Sequence, residues 1–151
     1  MAILNYTTTI DPHKTSGEVA AILARHRVQA IQTTYRDGEP SGLVFVVETA
    51  HGLRQFRLPV NVEGVEAALR ADPQVPAKSK NRAQARRVAW RILKDWIEAQ
   101  MALIDAGMSQ IDEVLLPYMI SQDNQTVSEL YQARSGYLEL EDHTRDAEGR
   151  R

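Results

Sequence analysis

The chain has no cysteine, no long apolar run and few aromatic residues. Without cysteine, disulfides and thiol chemistry are excluded, which fits a protein of a reducing cytoplasm. No apolar run approaches the roughly 20 residues that a membrane-spanning helix needs, so we expect no membrane partner. The opening residues MAILNYTTTIDPHK carry neither a basic start nor a long apolar stretch, so we expect no signal peptide.

Motifs of catalysis and metal binding are also missing. The four histidines show no HxxxH or HExxH spacing, and the chain contains no GxSxG, GxxxxGK[ST] or GxGxxG. These absences argue against a metal site and against the common hydrolase, P-loop and dinucleotide-binding enzymes. We therefore expect no catalytic residue, no metal and no cofactor, and a protein that is not an enzyme.

Charge, by contrast, is present in quantity and unevenly distributed. The net charge is only −2, yet residues 78–94 hold seven basic and no acidic residues. Residues 109–151 hold nine acidic and four basic residues, a net charge of −5. Such asymmetry predicts an anion-binding patch on the basic stretch and an acidic tail at the end of the chain.

The period of the apolar residues changes from 2 to 3.6 after Asn61, which predicts a sheet in the first half of the chain and helices in the second. Asp37-Gly38 is typical of a hairpin turn. We therefore predict an α+β fold with an antiparallel four-stranded sheet and one packed helix, which begins with a capping box of Thr15 and Glu18. The predicted strands cover residues 3–10, 28–35, 43–49 and 53–60.

The second half predicts a long helix with shorter helices before and after it. Asn61 caps a short helix that ends near residue 71. The long helix runs from Asn81 to about residue 106, with Gly107 directly after its end. Capping patterns that start at Ser109 and Thr126 begin two short C-terminal helices.

These elements predict one main domain with an appendage. The α+β domain covers residues 1–120, divided into a sheet half at 1–71 and a helical half at 80–120. A proline-containing linker joins the two halves. Residues 121–151 are expected to form one short helix and, from Ser135 on, a disordered acidic tail.

Five residues of the long helix are the candidate ligand-binding residues: Arg82, Arg86, Arg87, Trp90 and Arg91. On a helical wheel, Arg82 and Arg86 fall on the apolar stripe, whereas Arg87 and Arg91 fall on the opposite face. An unpaired charge on a buried stripe is costly, so Arg82 and Arg86 should either pair with carboxylates or bind a phosphate. Arg87 and Arg91 are secondary candidates, and ordinary solvation explains them as well. The free N–H groups at the helix start favour an anion at the same end.

The two tryptophans fall at different positions of the wheel. Trp96 is central in the stripe and is predicted to be core. Trp90 flanks the stripe, where it would either pack at a contact or stack on a base. The predicted helix is roughly 39 Å long at 1.5 Å per residue, which is long for one small domain. We therefore expect apolar surface near Trp90 or Met101 to meet another copy, which makes the protein a homo-oligomer.

Three segments of the chain resemble a family of small uncharacterised phage and prophage proteins. They are MAILNYTTTI with Lys14-Thr15, FRLPVN with the following EGV, and RVAWRILKDWIEAQMALI. The resemblance covers about residues 1–120, and RVAWRILKDW is its most specific part. It implies no catalytic residue. It implies a phage gene product that acts in the cytoplasm of a bacterial host, and by analogy an anti-defence role.

Three functional hypotheses follow. The leading one is a non-enzymatic, homo-oligomeric phage protein that binds and sequesters a phosphate-bearing nucleotide, a messenger of host defence, with Arg82 and Arg86 of two copies forming a shared anion site. The first alternative is a single-strand nucleic-acid-binding protein of phage replication or recombination, which needs basic and aromatic residues along a continuous groove. The second is a protein-directed inhibitor of a host defence nuclease, whose acidic tail mimics nucleic acid.

Overall fold

Three strands and five α-helices make up residues 2–138, the part of the chain that the computed structural model describes. The sheet is antiparallel with the order β1-β2-β3, so the predicted α+β class is confirmed. The elements are α1 (Pro12–Ala24), β1 (Val28–Arg36), β2 (Glu39–Thr49), β3 (Gly52–Pro59), α2 (Val62–Ala71), α3 (Arg82–Asp105), α4 (Ile111–Val114) and α5 (Val127–Ala133). No helix within residues 2–138 is long and apolar enough to cross a membrane.

The predicted fourth strand, at the start of the chain, is wrong. Asn5 has a φ of 64°, and the N–H of Thr8 donates to the Asn5 carbonyl at 3.0 Å, so this segment turns instead of extending. The side chain of Gln84 in α3 donates to the carbonyls of Tyr6 and Thr8, at 2.9 Å each. The Asn5 amide donates to Asp95 at 2.7 Å. The segment is therefore fixed by polar side chains of α3, and its carbonyls bond to a helix and not to a strand.

The hairpin at Asp37-Gly38 is confirmed. Both residues have positive φ, 52° and 77°, the conformation that a two-residue hairpin turn requires. Successive side chains of a strand point to opposite faces, so one face of the sheet collects the apolar residues. That inner face holds buried Leu43, Phe45, Val47, Phe56 and Leu58, with the two phenyl rings stacked at 5.5 Å.

Two helices cover the inner face of the sheet. Val19 and Leu23 of α1 and Ile97 of α3 join its apolar residues in one buried cluster. A second cluster forms where α2 packs on the start of α3, around Leu69 and Ala85. The long helix thus has two packing partners on two of its faces, the sheet with α1 on one and α2 on the other.

This double packing places Trp90 in the core, which is the packing alternative of its prediction, and leaves Trp96 only partly buried against that core. Trp90 is fully buried, and its Nε1–H donates to the carbonyl of Pro40 at 3.0 Å. Trp96 is half-buried and lies edge-on against Tyr118, with ring centroids 5.6 Å apart. Met101 is only 2% exposed. The apolar surface that was expected to meet another copy is therefore covered by the same chain, because a single stripe on a wheel does not describe a helix with two buried faces.

Four of the predicted helix ends are confirmed. The Asn61 side chain accepts from the N–H of Gly64 at 2.9 Å and so begins α2. The Asn81 side chain accepts from the N–H of Gln84 at 2.8 Å and so begins α3. Gly107 has a φ of 71° after the end of α3, and its N–H donates to Ile104. Thr126 and Glu129 form the predicted capping box of α5.

Other predicted boundaries are wrong or fall outside the structure. The cap of α1 is Asp11, which accepts from the N–H of His13, whereas Thr15 is buried inside the helix. The predicted capping box of Thr15 and Glu18 is therefore wrong, because Pro12 starts the helix earlier. Residues 135–138 form a short 3₁₀ helix. The rest of the predicted disordered tail, from residue 139 on, lies outside the described residues.

Candidate functional site

A cleft of about 370 Å³ opens where the β1–β2 turn, the start of α2 and the first turns of α3 meet. We call it the arginine cleft, because Arg36, Arg82 and Arg86 line it together. Three carboxylate residues, Asp37, Glu39 and Glu63, also line it. Its volume lies at the lower end of the roughly 300–1,000 Å³ range of small-molecule sites. The structure thus brings together two of the predicted ligand-binding residues, Arg82 and Arg86.

Arg82 is already engaged by two carboxylates of α2. Its guanidinium lies 2.7 Å from Glu63 and 3.4 Å from Glu66, and its side chain is 42% exposed. The hydrogen bond from Arg82 lowers the pKa of Glu63 below its ordinary value, and the same bond raises the pKa of Arg82. The pKa of Glu66 is lowered as well, mainly by its hydrogen bond with Arg70. The carboxylate-pairing alternative therefore describes Arg82, which ties the first turn of α3 to α2.

Arg86 differs from the other arginines of α3. It is half-buried and lines the cleft one turn after Arg82. Within residues 2–138, its guanidinium makes no hydrogen bond and no ion pair, while its three arginine neighbours along the helix all have partners. An arginine of this burial covers apolar surface with its stem while its charged head stays accessible. Its five N–H donors are therefore directed to solvent or to a ligand in the cleft.

Arg87 and Arg91 do not line the cleft. Arg87 donates to the side-chain oxygen of Gln84 at 3.0 Å. Arg91 forms an ion pair of 2.7 Å with Glu18, and only 17% of its side chain is exposed. Arg91 thus connects α3 with α1, so the expectation that these two arginines are solvated charges is wrong for Arg91. A ligand in the arginine cleft would therefore contact Arg86 but neither Arg87 nor Arg91.

Trp90 is the second correction to the predicted set. Because its ring is fully buried against the sheet, neither face is open to stack on a base. The packing alternative describes this residue, and its prediction as a ligand-binding residue is wrong. The helix start contributes less than expected as well, because the Asn81 side chain already accepts from the N–H of Gln84.

Tyr35 and Arg36 line the cleft and were missed by the sequence analysis. Tyr35 is 60% exposed at the rim of the cleft, and the His13 ring stacks beside it with the ring centroids 6.5 Å apart. Both residues precede the hairpin turn, which the sequence does reveal. No local signal connects that turn with α3, however, since the connection is made by the Trp90 indole on the Pro40 carbonyl, 50 residues away.

Two histidines contact oxygen atoms through both ring nitrogens. His26 contacts the Ile22 carbonyl at 2.8 Å and the Asp105 carboxylate at 3.1 Å, one with each ring nitrogen. His13 contacts Asp11 at 2.9 Å and the Gly38 carbonyl at 3.2 Å in the same manner. These contacts fix the orientation of each ring, and neither ring lies in the arginine cleft. Across residues 2–138, no three His, Asp or Glu side chains converge as a metal site.

No protein-family model, no curated protein and no solved structure matches the chain. The resemblance to phage proteins therefore stays a prediction. The function has to be argued from the arginine cleft itself.

Proposed function

We propose that the protein is a non-enzymatic binding protein that takes a phosphate-bearing nucleotide in the arginine cleft. The observation that carries this proposal is Arg86, a half-buried residue at the cleft whose guanidinium has no carboxylate partner among the described residues. A phosphate satisfies such a guanidinium with two parallel, charge-assisted hydrogen bonds. Arg86 is thus the primary phosphate contact in this proposal.

The rest of the cleft fits the other parts of a nucleotide. The exposed ring of Tyr35 offers a face for stacking on a base. Asp37 and Glu39 offer acceptors for ribose hydroxyls or base amino groups, and Arg36 adds a second cation. Arg82 and Glu63 line the cleft as an ion pair, so their charges neutralise each other. The contact with phosphate is therefore assigned to Arg86.

The biological part of the proposal follows the phage resemblance. We take the ligand to be a nucleotide messenger of host defence, which the protein sequesters in the bacterial cytoplasm. A single-strand nucleic acid is the less favoured ligand, because the tryptophan that was to stack on its bases is buried. A protein-directed inhibitor would act through the acidic tail, most of which lies outside the described residues. The calorimetry described below distinguishes this alternative from nucleotide binding.

Titration calorimetry with linear and cyclic nucleotides tests the proposal on the wild type and two variants. Arg86→Ala should weaken binding by roughly ten- to a hundredfold, because a hydrogen bond to a charged group contributes about 1.5–3 kcal/mol and each 1.4 kcal/mol is a factor of ten. Its melting temperature should stay close to that of the wild type, since no observed partner of Arg86 is lost.

Arg54→Ala is the matched control. Arg54 is half-buried like Arg86, but its guanidinium donates to the neighbouring Leu53 carbonyl and does not line the cleft. This variant should bind nucleotides as the wild type does. If no nucleotide gives heat with the wild type, the proposal fails and the protein-directed inhibitor takes its place. If both variants weaken binding equally, the ligand does not lie at Arg86.

A further inference from the structure

One edge of the sheet has no partner in the part of the chain that the structure describes. The far edge of β3 is covered, because the N–H of Ile120 donates to the Gln55 carbonyl at 2.8 Å and Met119 bridges to Phe56. The far edge of β1 makes no such bond with any described residue. Along it, Gln29 and Gln32 are exposed. Its outward N–H and C=O groups therefore remain a template for another strand.

The central part of β1 carries neither charge nor proline, whereas Arg36 and the register irregularities lie toward its ends. Residues 28–35 read VQAIQTTY, with no charge and no proline. Exposed edges are normally protected by such residues, which oppose pairing with another chain. Irregularities of the β1–β2 register lie near the two ends of β1, and between them Ala30–Thr34 pair regularly with β2. This regular run of five residues is centred on Gln32.

We propose that β1 pairs antiparallel with β1 of a second copy about a twofold axis at Gln32, which joins the two sheets into one of six strands. A twofold axis is the common symmetry of dimers, and addition of a strand to an open edge is a recurring mode of recognition. In this register the two Gln32 side chains face each other, and Ile31 of one copy lies opposite Thr33 of the other.

Charge complementarity at the two ends of β1 identifies the occupant as a second copy. Arg27 and Asp37 flank the strand at equal distances in sequence from Gln32, and both are exposed with positive φ, 63° and 52°. The twofold axis places the Arg27 end of each β1 beside the Asp37 end of the other, beyond the regular run of Ala30–Thr34, so opposite charges meet at both ends of the pair. A foreign strand has no reason to carry this symmetric pattern.

Sedimentation of the full chain over a micromolar concentration range tests the pairing. The wild type should be a dimer at about 100 μM. Gln32→Lys places two like charges opposite each other across the axis and should raise the dissociation constant of the dimer by roughly fivefold. Gln32→Glu should do the same. An equimolar mixture of the two variants should recover wild-type dimerisation, because a lysine then faces a glutamate.

Gln55→Lys is the matched control, since Gln55 is an exposed glutamine of β3, away from the free edge of β1. It should sediment as the wild type does. Circular dichroism spectra at 25 °C should be alike for all variants, which separates loss of pairing from loss of folding. A monomeric wild type at 100 μM, or a mixture that dissociates as readily as either variant alone, overturns the proposal. The pairing needs no cleft ligand, so its failure leaves the proposed function standing.

Discussion

The two ends of α3 share one apolar stripe in the sequence but perform different tasks in the structure. Its second half buries Ile97 and Met101 against the sheet and α1. Its first turns place Arg82 and Arg86 at a cleft, where Arg86 has no partner among residues 2–138. The difference shows that a cation on a buried stripe is not evidence of a site by itself. The informative feature is whether the fold provides a carboxylate for it.

Trp90→Ala truncates a residue of α3 that is buried in the core, and it should have the largest effect on stability. Trp90 is fully buried and hydrogen-bonded to the Pro40 carbonyl, so truncation leaves both a cavity and an unpaired acceptor. We expect the free energy of unfolding to fall by about 3–5 kcal/mol. Trp96→Ala should cost less, because Trp96 is half-buried. Urea denaturation measures both, and a larger loss for Trp96→Ala would restore the interpretation from the helical wheel.

Arg82→Ala sharpens the comparison between the two arginines of the cleft. It removes the ion pairs with Glu63 and Glu66 at a partly exposed position, where salt screens such pairs. We expect a small fall in melting temperature at low salt that disappears in 1 M NaCl, and a smaller loss of nucleotide binding than Arg86→Ala causes. Thermal melts at two salt concentrations, together with calorimetry, check this. If Arg82→Ala lost more nucleotide binding than Arg86→Ala, Arg82 and not Arg86 would be the primary phosphate contact.

The smallest expected effect concerns the hairpin side of the cleft. The hydrogen bond with Asp11 raises the pKa of His13 above its ordinary value of 6.5. The pKa of Asp11 is lowered below 3.8, mainly by the hydrogen bond from the His13 backbone N–H and also by the bond with the His13 ring. The stability from His13 is fully present below pH 6.5 and is lost as the pH rises through the raised value. The stability from Asp11 is present above pH 3.8 and is lost as the pH falls through the lowered value.

The pair is therefore strongest between about pH 4 and pH 6.5. Thermal melts of the wild type should show a slight loss of stability from pH 6 to pH 8 that His13→Ala does not show. Because His13 also contacts the Gly38 carbonyl, this loss should be accompanied by faster amide exchange at the hairpin turn. An identical pH dependence in both proteins would show that the pair does not stabilise the fold.

Local signals predicted much of the fold because their physics is local. The hairpin at Asp37-Gly38 and the cap at Asn81 depend on residues a few positions apart. The opening segment was predicted as a strand because its competitor, the Gln84 side chain, lies more than 70 residues away. Long-range contacts of this kind have no period and no spacing in the sequence.

The candidate site was predictable only in part for the same reason. The wheel placed Arg82 and Arg86 on one stripe, and the structure places both at one cleft. The wheel did not reveal that Glu63 pairs with Arg82 and, within residues 2–138, not with Arg86, nor that Tyr35 lies at the rim of the cleft. Both facts depend on where α2 and the β1–β2 hairpin pack on α3, which is a tertiary property.

Native mass spectrometry of the protein purified from bacterial cells that contain its ligand tests the central claim most directly, because one spectrum reports bound nucleotide and subunit number. The account predicts that the wild type retains a phosphate-bearing mass of nucleotide size, that Arg54→Ala retains it too, and that Arg86→Ala loses it. A wild type that carries no such mass, or an Arg86→Ala variant that retains it fully, would contradict the assignment of Arg86 as the phosphate contact.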